Sequence, residues 1–495
     1  MDILYKSTRG KGETVTASQA VLKGLADDGG LFVPVCIPEL DISLEELSKM
    51  DYKGVAFEVM RRFLSDYTDD ELKSCIENAY DKKFDTPDIA PLEYKDGVYF
   101  MELFHGATIA FKDMALSVLP HLMTAAAKKN NIKNDIVILT ATSGDTGKAA
   151  LAGFADVPHT RMIVFYPKGG VSRIQELQMV TQKGENTFVC GVEGNFDDCQ
   201  SAVKRMFNDE ALKKELEAGN YQFSSANSIN IGRLIPQVAY YVWAYCRLIA
   251  EGRIKPEEKI NFVVPTGNFG NILAGYYAKL MGLPVNRLIC ASNENRVLYD
   301  FFNSGIYDRN REFILTSSPS MDILISSNLE RLIYKAVGEN EKENRRLMKN
   351  LSEKGVYELP ESAKDALSDF TGAFADEQEN FRQIKALYEK EGYVIDTHTG
   401  VAYAAYKKYL AETGDDHAAV IVSTASPYKF ARSVMGAIDS KYGSEDDFGL
   451  IKELCRISKR PVPQAIKDIM DADIRHTAVC RADELESSVK GFLAL

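Results

Sequence analysis

Six short runs of apolar, mostly β-branched residues constrain the fold of this 495-residue chain more than any other feature. Each run ends in a cluster of Gly, Ser, Thr or Asn residues and then opens a helical segment, which is typical of βα units. The runs cover residues 135–140, 161–166, 187–191, 261–264, 287–290 and 418–422. The sequence therefore predicts an α/β fold with doubly wound parallel sheets. Functional residues are expected in the loops at the carboxyl ends of the strands.

The length of the chain allows roughly two to four domains. Residues 1–90 contain charged amphipathic stretches at 44–50 and 52–64 and few strand signals, so they are predicted to form a separate, mainly helical region. A smaller α/β domain is expected over residues 91–225 and a larger one over residues 226–495.

The charge balance argues against nucleic acid and membrane surfaces as partners. The chain has 59 Lys and Arg residues against 71 Asp and Glu residues, a formal net charge of −12 that repels polyanions. The eight cysteines show no metal-ligand spacing, so we expect reduced thiols and no metal site. The longest apolar run, 238–246, is too short to cross a bilayer, and the first residues lack the pattern of a signal peptide or presequence. A cytoplasmic protein is expected, in which an anionic substrate needs a locally basic pocket.

Lys112 is predicted to project from the apolar face of a helix. The apolar stripe of the helix predicted over residues 110–129 includes Ala115, Leu116, Leu119 and Met123. A lysine three or four residues before such positions shares their face, where an unpaired ammonium is costly. One interpretation is a lysine whose stem packs while its head reaches water. The other is a Schiff base to a carbonyl cofactor, because burial lowers the pKa of a lysine and favours the neutral amine.

A glycine-rich loop follows the predicted strand at 261–264. Two glycines at the start of a helix let backbone N–H groups bind phosphate, and the helix dipole supports this. A plain tight βα turn is the alternative. The loop lacks the GK[ST] signature of nucleotide-triphosphate sites. The residues concerned are Gly267, Asn268, Phe269, Gly270 and Asn271.

Hydroxyl-rich clusters end two other predicted strands. Ser143, Asp145 and Thr146 belong to the motif ATSGDTG, and Thr424 follows the run at 418–422. Each cluster alone is explained by helix capping. Together with a lysine on an apolar face and a phosphate-type loop, they favour a phosphate-bearing aldehyde cofactor.

At these residues the sequence resembles threonine synthase, in the tryptophan-synthase-β-like group of pyridoxal-phosphate enzymes with fold type II. The resemblance runs through most of the chain and rests on the order of its motifs. These are STRG, VLKGLADDGGLFVP, FHGATIAFKD, ATSGDTGKAA, YPKGGVSRIQELQM, NSINIGR, PTGNFGN, SPSMDILISSN, IDTHTGVAYA and STASPYKF. Ala107, Ser426 and Tyr428 depart from residues common in the family, which bears on substrate selectivity.

The resemblance implies a role for each of these loops. Lys112, in the smaller domain, would carry pyridoxal 5'-phosphate and shuttle protons, while the loop from Gly267 to Asn271, in the larger domain, would bind the cofactor phosphate. Thr424 would face the pyridine nitrogen. Ser143, Asp145 and Thr146 would lie by the substrate carboxylate and the ring hydroxyl.

The residues that the resemblance suggests for the substrate phosphate supply basic and amide groups, the right chemistry for a dianion. They are Lys168, Arg173, Asn227, Ser228, Asn230 and Arg233. Arg233 is equally well explained as a structural ion-pair partner. His398, in DTHTG, is more simply a hydrogen-bonded residue than a catalyst.

The resemblance implies a carbon–oxygen lyase acting on phosphates, as a monomer or homodimer. Its reaction converts O-phospho-L-homoserine and water into L-threonine and phosphate by β,γ-replacement, the last step of threonine biosynthesis. The alternatives are a related dehydratase, a phospho-lyase that releases a keto acid, and a non-catalytic, ligand-sensing relative. Retention of Lys112 argues against the last.

Overall fold

The computed structural model describes residues 2–10, 12–142, 144–171 and 173–495, which contain 15 strands and 22 α-helices. The strands are β1 (Tyr5–Ser7), β2 (Phe32–Pro34), β3 (Leu92–Lys95), β4 (Val98–Glu102), β5 (Asp135–Ala141), β6 (Thr160–Pro167), β7 (Thr187–Glu193), β8 (Tyr221–Ser224), β9 (Ile260–Pro265), β10 (Val285–Ser292), β11 (Ile306–Asp308), β12 (Val356–Glu358), β13 (Phe370–Phe374), β14 (Ala419–Ser423) and β15 (Ala478–Arg481).

The helices are α1 (Ala17–Lys23), α2 (Leu44–Leu47), α3 (Tyr52–Phe63), α4 (Asp69–Ala79), α5 (Asp113–Leu116), α6 (Leu119–Lys129), α7 (Asp145–Phe154), α8 (Arg173–Val180), α9 (Phe196–Asn208), α10 (Glu210–Ala218), α11 (Ile231–Ala250), α12 (Gly270–Leu280), α13 (Val297–Ser304), α14 (Leu329–Ala336), α15 (Glu341–Lys354), α16 (Glu361–Lys364), α17 (Glu377–Glu391), α18 (Thr397–Thr413), α19 (Ala431–Ile438), α20 (Asp447–Ser458), α21 (Gln464–Met470) and α22 (Leu485–Leu493). A 3₁₀ turn, Pro427–Phe430, lies between β14 and α19.

Two mostly parallel sheets form the framework. The larger sheet has six strands in the order β13-β10-β9-β14-β4-β3, parallel except for the hairpin β3–β4. The smaller sheet has five parallel strands in the order β15-β7-β6-β5-β8. Strands β9 and β14 are buried along their whole length, as parallel strands covered on both faces must be. The predicted α/β class is confirmed, and all six predicted strands are present.

The strands do not divide between the sheets as the predicted domains divide the chain. Strands β3 and β4, inside the expected 91–225 domain, pair within the six-stranded sheet. Strand β15, inside the expected 226–495 domain, pairs with β7 in the five-stranded sheet. A parallel strand pairs with partners far away in sequence, so local patterns do not identify its sheet.

The N-terminal region is mainly helical, as predicted, with the short hairpin β1–β2 added to it. Helix α3 packs on α11, where the rings of Tyr52 and Trp243 meet edge to face with centroids 5.7 Å apart. The apolar run at 238–246 lies in α11 and is buried by helices and sheet. In the part of the chain that the structure describes, no helix combines the length and the apolar character needed to span a membrane.

The helix predicted over residues 110–129 is broken into α5 and α6. Pro120 is the reason, because a proline has no N–H to donate and its ring collides with the carbonyl group four residues earlier, here that of Leu116. Lys112 precedes α5 directly, in helical backbone conformation. The predicted apolar stripe is confirmed, since Leu116, Leu119 and Met123 are fully buried.

Gly153 lets α7 approach the end of α5. A Cβ atom there would collide with the carbonyl oxygen of Leu116. We expect Gly153→Ala to lower the free energy of unfolding by about 1–3 kcal/mol, because the backbones must separate. Chemical denaturation measures this. The control is Gly436→Ala in α19, where a Cβ atom meets nothing within 4 Å, so helix propensity predicts no loss. Equal stability of the two variants would contradict the close approach.

Candidate active site

The candidate site lies where the carboxyl ends of β5, β9 and β14 meet. Asp145 begins the helix after β5, the glycine-rich loop follows β9, and Thr424 follows β14. The segment after β4 runs beside Thr424, whose carbonyl oxygen accepts a hydrogen bond from the N–H of Phe111 at 2.8 Å. This contact brings Lys112 to the edge of the six-stranded sheet.

The amine of Lys112 is enclosed by polar groups. Its Nζ lies 3.2 Å from Ser320 Oγ and 3.5 Å from Asp145 Oδ2, and the side chain is only 11% exposed. These contacts favour the Schiff-base interpretation of Lys112 over that of a lysine head that reaches water. Burial lowers the pKa of Lys112, the charge of Asp145 opposes this, and the charges of Lys429 and Arg233 lower it further. The result is a pKa below the usual lysine value, which favours the neutral amine.

Asp145 is the only carboxylate that directly contacts Lys112 among the described residues. Its Oδ2 accepts a hydrogen bond from Ser320 Oγ at 3.1 Å, while its Oδ1 accepts one from Gln175 Nε2 at 2.9 Å and lies 3.3 Å from Lys429 Nζ. Burial raises the pKa of Asp145, but the charges of Lys429 and Lys112 lower it more, so the net pKa lies below its usual range. Asp145 is therefore an anion held between two lysines.

Ser320 links the lysine to a buried histidine. The N–H of Ser320 donates to His398 Nε2 at 3.1 Å, so the proton of the neutral imidazole lies on Nδ1. This Nδ1–H donates to Asp396 Oδ2 at 2.7 Å. His398 is therefore a hydrogen-bonded positioning group, as the simpler interpretation of DTHTG held. Sequence reasoning did not single out Ser320, whose motif carries no local sign of this role.

Side-chain hydrogen bonds to its carbonyl oxygens hold the glycine-rich loop, which leads into the start of α12. Phe269 adopts a left-handed conformation with φ of 64°, and the helix begins at Gly270. The carbonyl oxygen of Gly267 accepts from Ser326 Oγ at 2.6 Å, and that of Asn268 accepts from Asn328 Nδ2 at 3.0 Å. A Cβ atom at Gly267 would collide with the carbonyl oxygen of Ser320. The predicted loop geometry, with N–H groups at a helix start, is present.

Asn271 leaves one buried donor unused. Its Oδ1 accepts hydrogen bonds from Tyr240 and Tyr241, each 2.7 Å away. Its Nδ2 is buried and has no partner among the described residues. A buried donor without a partner, beside free helix N–H groups, fits an anionic ligand.

The residues predicted to bind a substrate phosphate occupy different environments. Arg233 is buried, which lowers its pKa to about 10, and its guanidinium donates to the carbonyl oxygen of Ala226 at 3.1 Å. Its Nε is buried without a partner in the described part of the chain. Asn230 accepts a hydrogen bond from Gly232 N–H as the N-cap of α11, and its Nδ2 donates to the carbonyl oxygens of Val21 and Ser225. Its amide is therefore engaged in structural hydrogen bonds.

Four other predicted residues are more open. Lys168, Arg173 and Asn227 are exposed, and Ser228 is half-buried. Arg173 pairs with Glu176 at 3.2 Å, so any ligand must compete with that carboxylate. Thr146 is half-buried in the first turn of α7, next to Asp145, whereas Ser143 lies outside the described residues.

Family models match almost the whole chain. The descriptions are "Threonine synthase N terminus" for residues 4–80, "Pyridoxal-phosphate dependent enzyme" for 86–425 and "Threonine synthase, C-terminal" for 399–490. The threonine synthase of Saccharomyces cerevisiae is 36% identical over 95% of this chain and 96% of its own length. The chain belongs to the threonine synthase family.

Two further relatives define the family context. A crystal structure of pyridoxal-phosphate-bound threonine synthase from Brucella melitensis is 33% identical, with a TM-score of 0.88 over 100% of both chains. The human protein named threonine synthase-like 1 is 40% identical over 86% of this chain and 58% of its own length. The cofactor of the family is pyridoxal phosphate, and the fold type II architecture expected from the motifs is confirmed.

The donors of this threonine synthase family member fit that cofactor. The helix start at Gly270 and the unused Nδ2 of Asn271 suit a phosphate, and the buried amine of Lys112 suits an aldehyde.

An ionic network fixes the start of the segment that leads to Lys112. Glu102, at the end of β4, is 2% exposed and lies 2.8 Å from Arg460 Nη1. His105 contacts Glu102 through Nε2 at 2.9 Å and Asp85 through Nδ1 at 2.6 Å. Burial lowers the pKa of His105, but the hydrogen bonds of Asp85 and Glu102 raise it more, to about 9.

This network predicts a pH dependence of stability. The pKa of His105 is higher in the folded state than its ordinary value of 6.5, so its stabilisation is complete below pH 6.5 and disappears as the pH rises through about 9. Relative to His105→Gln, the wild-type protein should lose about 1–3 kcal/mol of unfolding free energy over that window, measured by chemical denaturation at each pH. His159→Gln, at a side chain that is 72% exposed, is the control. Parallel pH curves for wild type and His105→Gln would refute the assignment.

Proposed function

We propose that this chain converts O-phospho-L-homoserine and water into L-threonine and inorganic phosphate, with pyridoxal 5'-phosphate attached to Lys112. The observation that carries the proposal is the enclosed amine of Lys112, 3.5 Å from Asp145 Oδ2, in a member of the threonine synthase family. The reaction is a β,γ-replacement and completes threonine biosynthesis.

Lys112 Nζ bears the cofactor and moves protons. When bound, the cofactor supplies an electron sink for the carbanion formed at the substrate α carbon. With the substrate bound, Nζ would remove the α proton, and the pKa lowered by burial suits this role. Ser320 Oγ and Asp145 Oδ2 orient Nζ from one side.

The remaining groups of the site divide between cofactor and substrate. The backbone and side chains that bind the cofactor phosphate belong to Gly267, Asn268, Phe269, Gly270 and Asn271. Thr424 would face the pyridine nitrogen, which a neutral hydroxyl would leave largely unprotonated, and Asp145 would lie by the ring hydroxyl.

Substrate binding uses hydroxyls for one end of the molecule and cations for the other. Thr146 would contact the substrate carboxylate, and Ser143, for which the motif implies the same role, lies outside the described residues. Arg233 is the main group for the phosphate, because its buried Nε has no partner among the described residues. The supporting groups are Lys168, Arg173, Asn227, Ser228 and, through the turn that it caps, Asn230.

The chain acts in the cytoplasm as a monomer or homodimer and does not bind nucleic acid. The net charge of −12 supports the last point, because the average surface field repels polyanions. Size-exclusion chromatography with light scattering measures the oligomeric state.

The function is tested by incubating purified, cofactor-loaded protein with O-phospho-L-homoserine and measuring phosphate and organic products together. We expect equal amounts of phosphate and threonine. Phosphate accompanied by 2-oxobutyrate and ammonia would instead identify a phospho-lyase, a result the proposal forbids. Lys112→Ala is the control, and it should lose both the product and the absorbance of the imine to protein.

The glycine-rich loop predicts a second effect. Gly267→Ala should weaken cofactor binding at least about tenfold, because the new methyl group forces the loop away from Ser320. Titration of cofactor-free protein with pyridoxal 5'-phosphate, followed by absorbance, gives the dissociation constant. Gly436→Ala, which adds a methyl group in open space, should bind like wild type. Unchanged affinity of Gly267→Ala would remove this loop from the phosphate site.

A further inference from the structure

A second lysine, Lys429, is buried behind the candidate site. It lies in the 3₁₀ turn Pro427–Phe430, directly after β14, and its side chain is 0% exposed. Its Nζ has three acceptors, Asp145 Oδ1 at 3.3 Å, Thr108 O at 3.1 Å and Gln178 Oε1 at 3.3 Å. An ammonium has three N–H donors, so Lys429 is fully coordinated in a place where an unpaired charge would be very costly.

The two oxygens of Asp145 face different lysines. Oδ2 faces Lys112 and Ser320, whereas Oδ1 faces Lys429 and Gln175. One carboxylate thus divides its attraction between two ammonium groups. An undivided pair between Lys112 and Asp145 would hold the proton on Lys112, the opposite of what a base requires.

Other groups around Asp145 add to this bias. The charge of Arg233 also lowers the pKa of Lys112, while His398 binds Asp396 and Ser320. Lys148 is half-buried, and loss of solvent and the charge of Lys429 lower its pKa to about 8. Asp113 is buried, which raises its pKa, and it binds Thr108 rather than a lysine. Two lysines, Lys112 and Lys429, therefore share the single carboxylate of Asp145 in this cluster.

We propose that Lys429 is a positioning residue for the reaction, which holds Asp145 through Oδ1 and prevents it from forming an undivided ion pair with Lys112. The inference rests on the proposed function for the meaning of Lys112 as a base. Lys429 does not contact Lys112 Nζ or the substrate α carbon. It acts on Lys112 through Asp145.

A purely structural role is the competing explanation, because Lys429 also ties Thr108 to Gln178 of α8. The two explanations differ in the expected effect of neutralising the charge of Lys429. If Lys429 only joins these elements, neutralising it alters stability and leaves the proton affinity of Lys112 unchanged. If it divides the attraction of Asp145, neutralising it raises that affinity.

Gln178 offers a matched pair of variants that leave Lys429 in place. Gln178→Glu adds a carboxylate beside Lys429 and neutralises its charge, whereas Gln178→Met removes the hydrogen bond and leaves the charge. We expect the protonation midpoint of Lys112 to rise by about one pH unit in Gln178→Glu and to stay at the wild-type value in Gln178→Met. Lys429→Met should raise the midpoint as Gln178→Glu does, and Lys429→Arg should keep the wild-type midpoint.

The midpoint is measured in two forms of the protein. In the loaded protein, absorbance against pH follows the imine on Lys112. In cofactor-free protein, the rate of Lys112 acetylation by acetic anhydride is followed against pH by mass spectrometry. A raised midpoint in Gln178→Glu but not in Gln178→Met supports the proposal, and equal midpoints in folded variants overturn it. If wild-type Lys112 carries no cofactor, the proposed function fails, while the acetylation profile still decides the role of Lys429.

Discussion

The burial of the Lys112 ammonium against Asp145 is the constraint on which the rest of the site depends. The two residues come from different parts of the fold, one from the segment after β4 of the six-stranded sheet and the other from the first turn of α7 beside the five-stranded sheet. Neither charge is tolerable alone at this depth. Their contact therefore requires the two sheets to present their carboxyl edges to each other at the candidate site.

Close backbone approach makes that contact possible. At Gly153 helix α7 touches the end of α5, and at Gly267 the glycine-rich loop touches the carbonyl group of Ser320. A side chain at either position would separate elements that carry polar groups of the site. Ser320 is the residue where these constraints meet, because its backbone and side chain contact the loop, His398, Lys112 and Asp145.

The local chemistry of the site could be predicted from sequence, and its long-range partners could not. The runs at 135–140 and 261–264 became β5 and β9, since burial on both faces leaves a continuous apolar signal. Lys112 stood out because it interrupts an apolar stripe. The contacts of Ser320 and Lys429 with Asp145 join residues 175 and 284 positions apart, and no periodicity encodes such a pairing. The same reason hid the pairing of β15 with β7.

The whole chain carries a net negative charge, whereas its candidate site is rich in cations. A net charge of −12 repels polyanions at long range, where solvent and salt screen it. Within the site, Lys112, Lys429 and Arg233 act across a few ångströms in a medium of low polarity, where each charge counts for more. Removing cations from water is unfavourable, and one carboxylate compensates only part of that cost. The buried Nε of Arg233, which has no partner among the described residues, marks the place where an anionic ligand would add to that compensation.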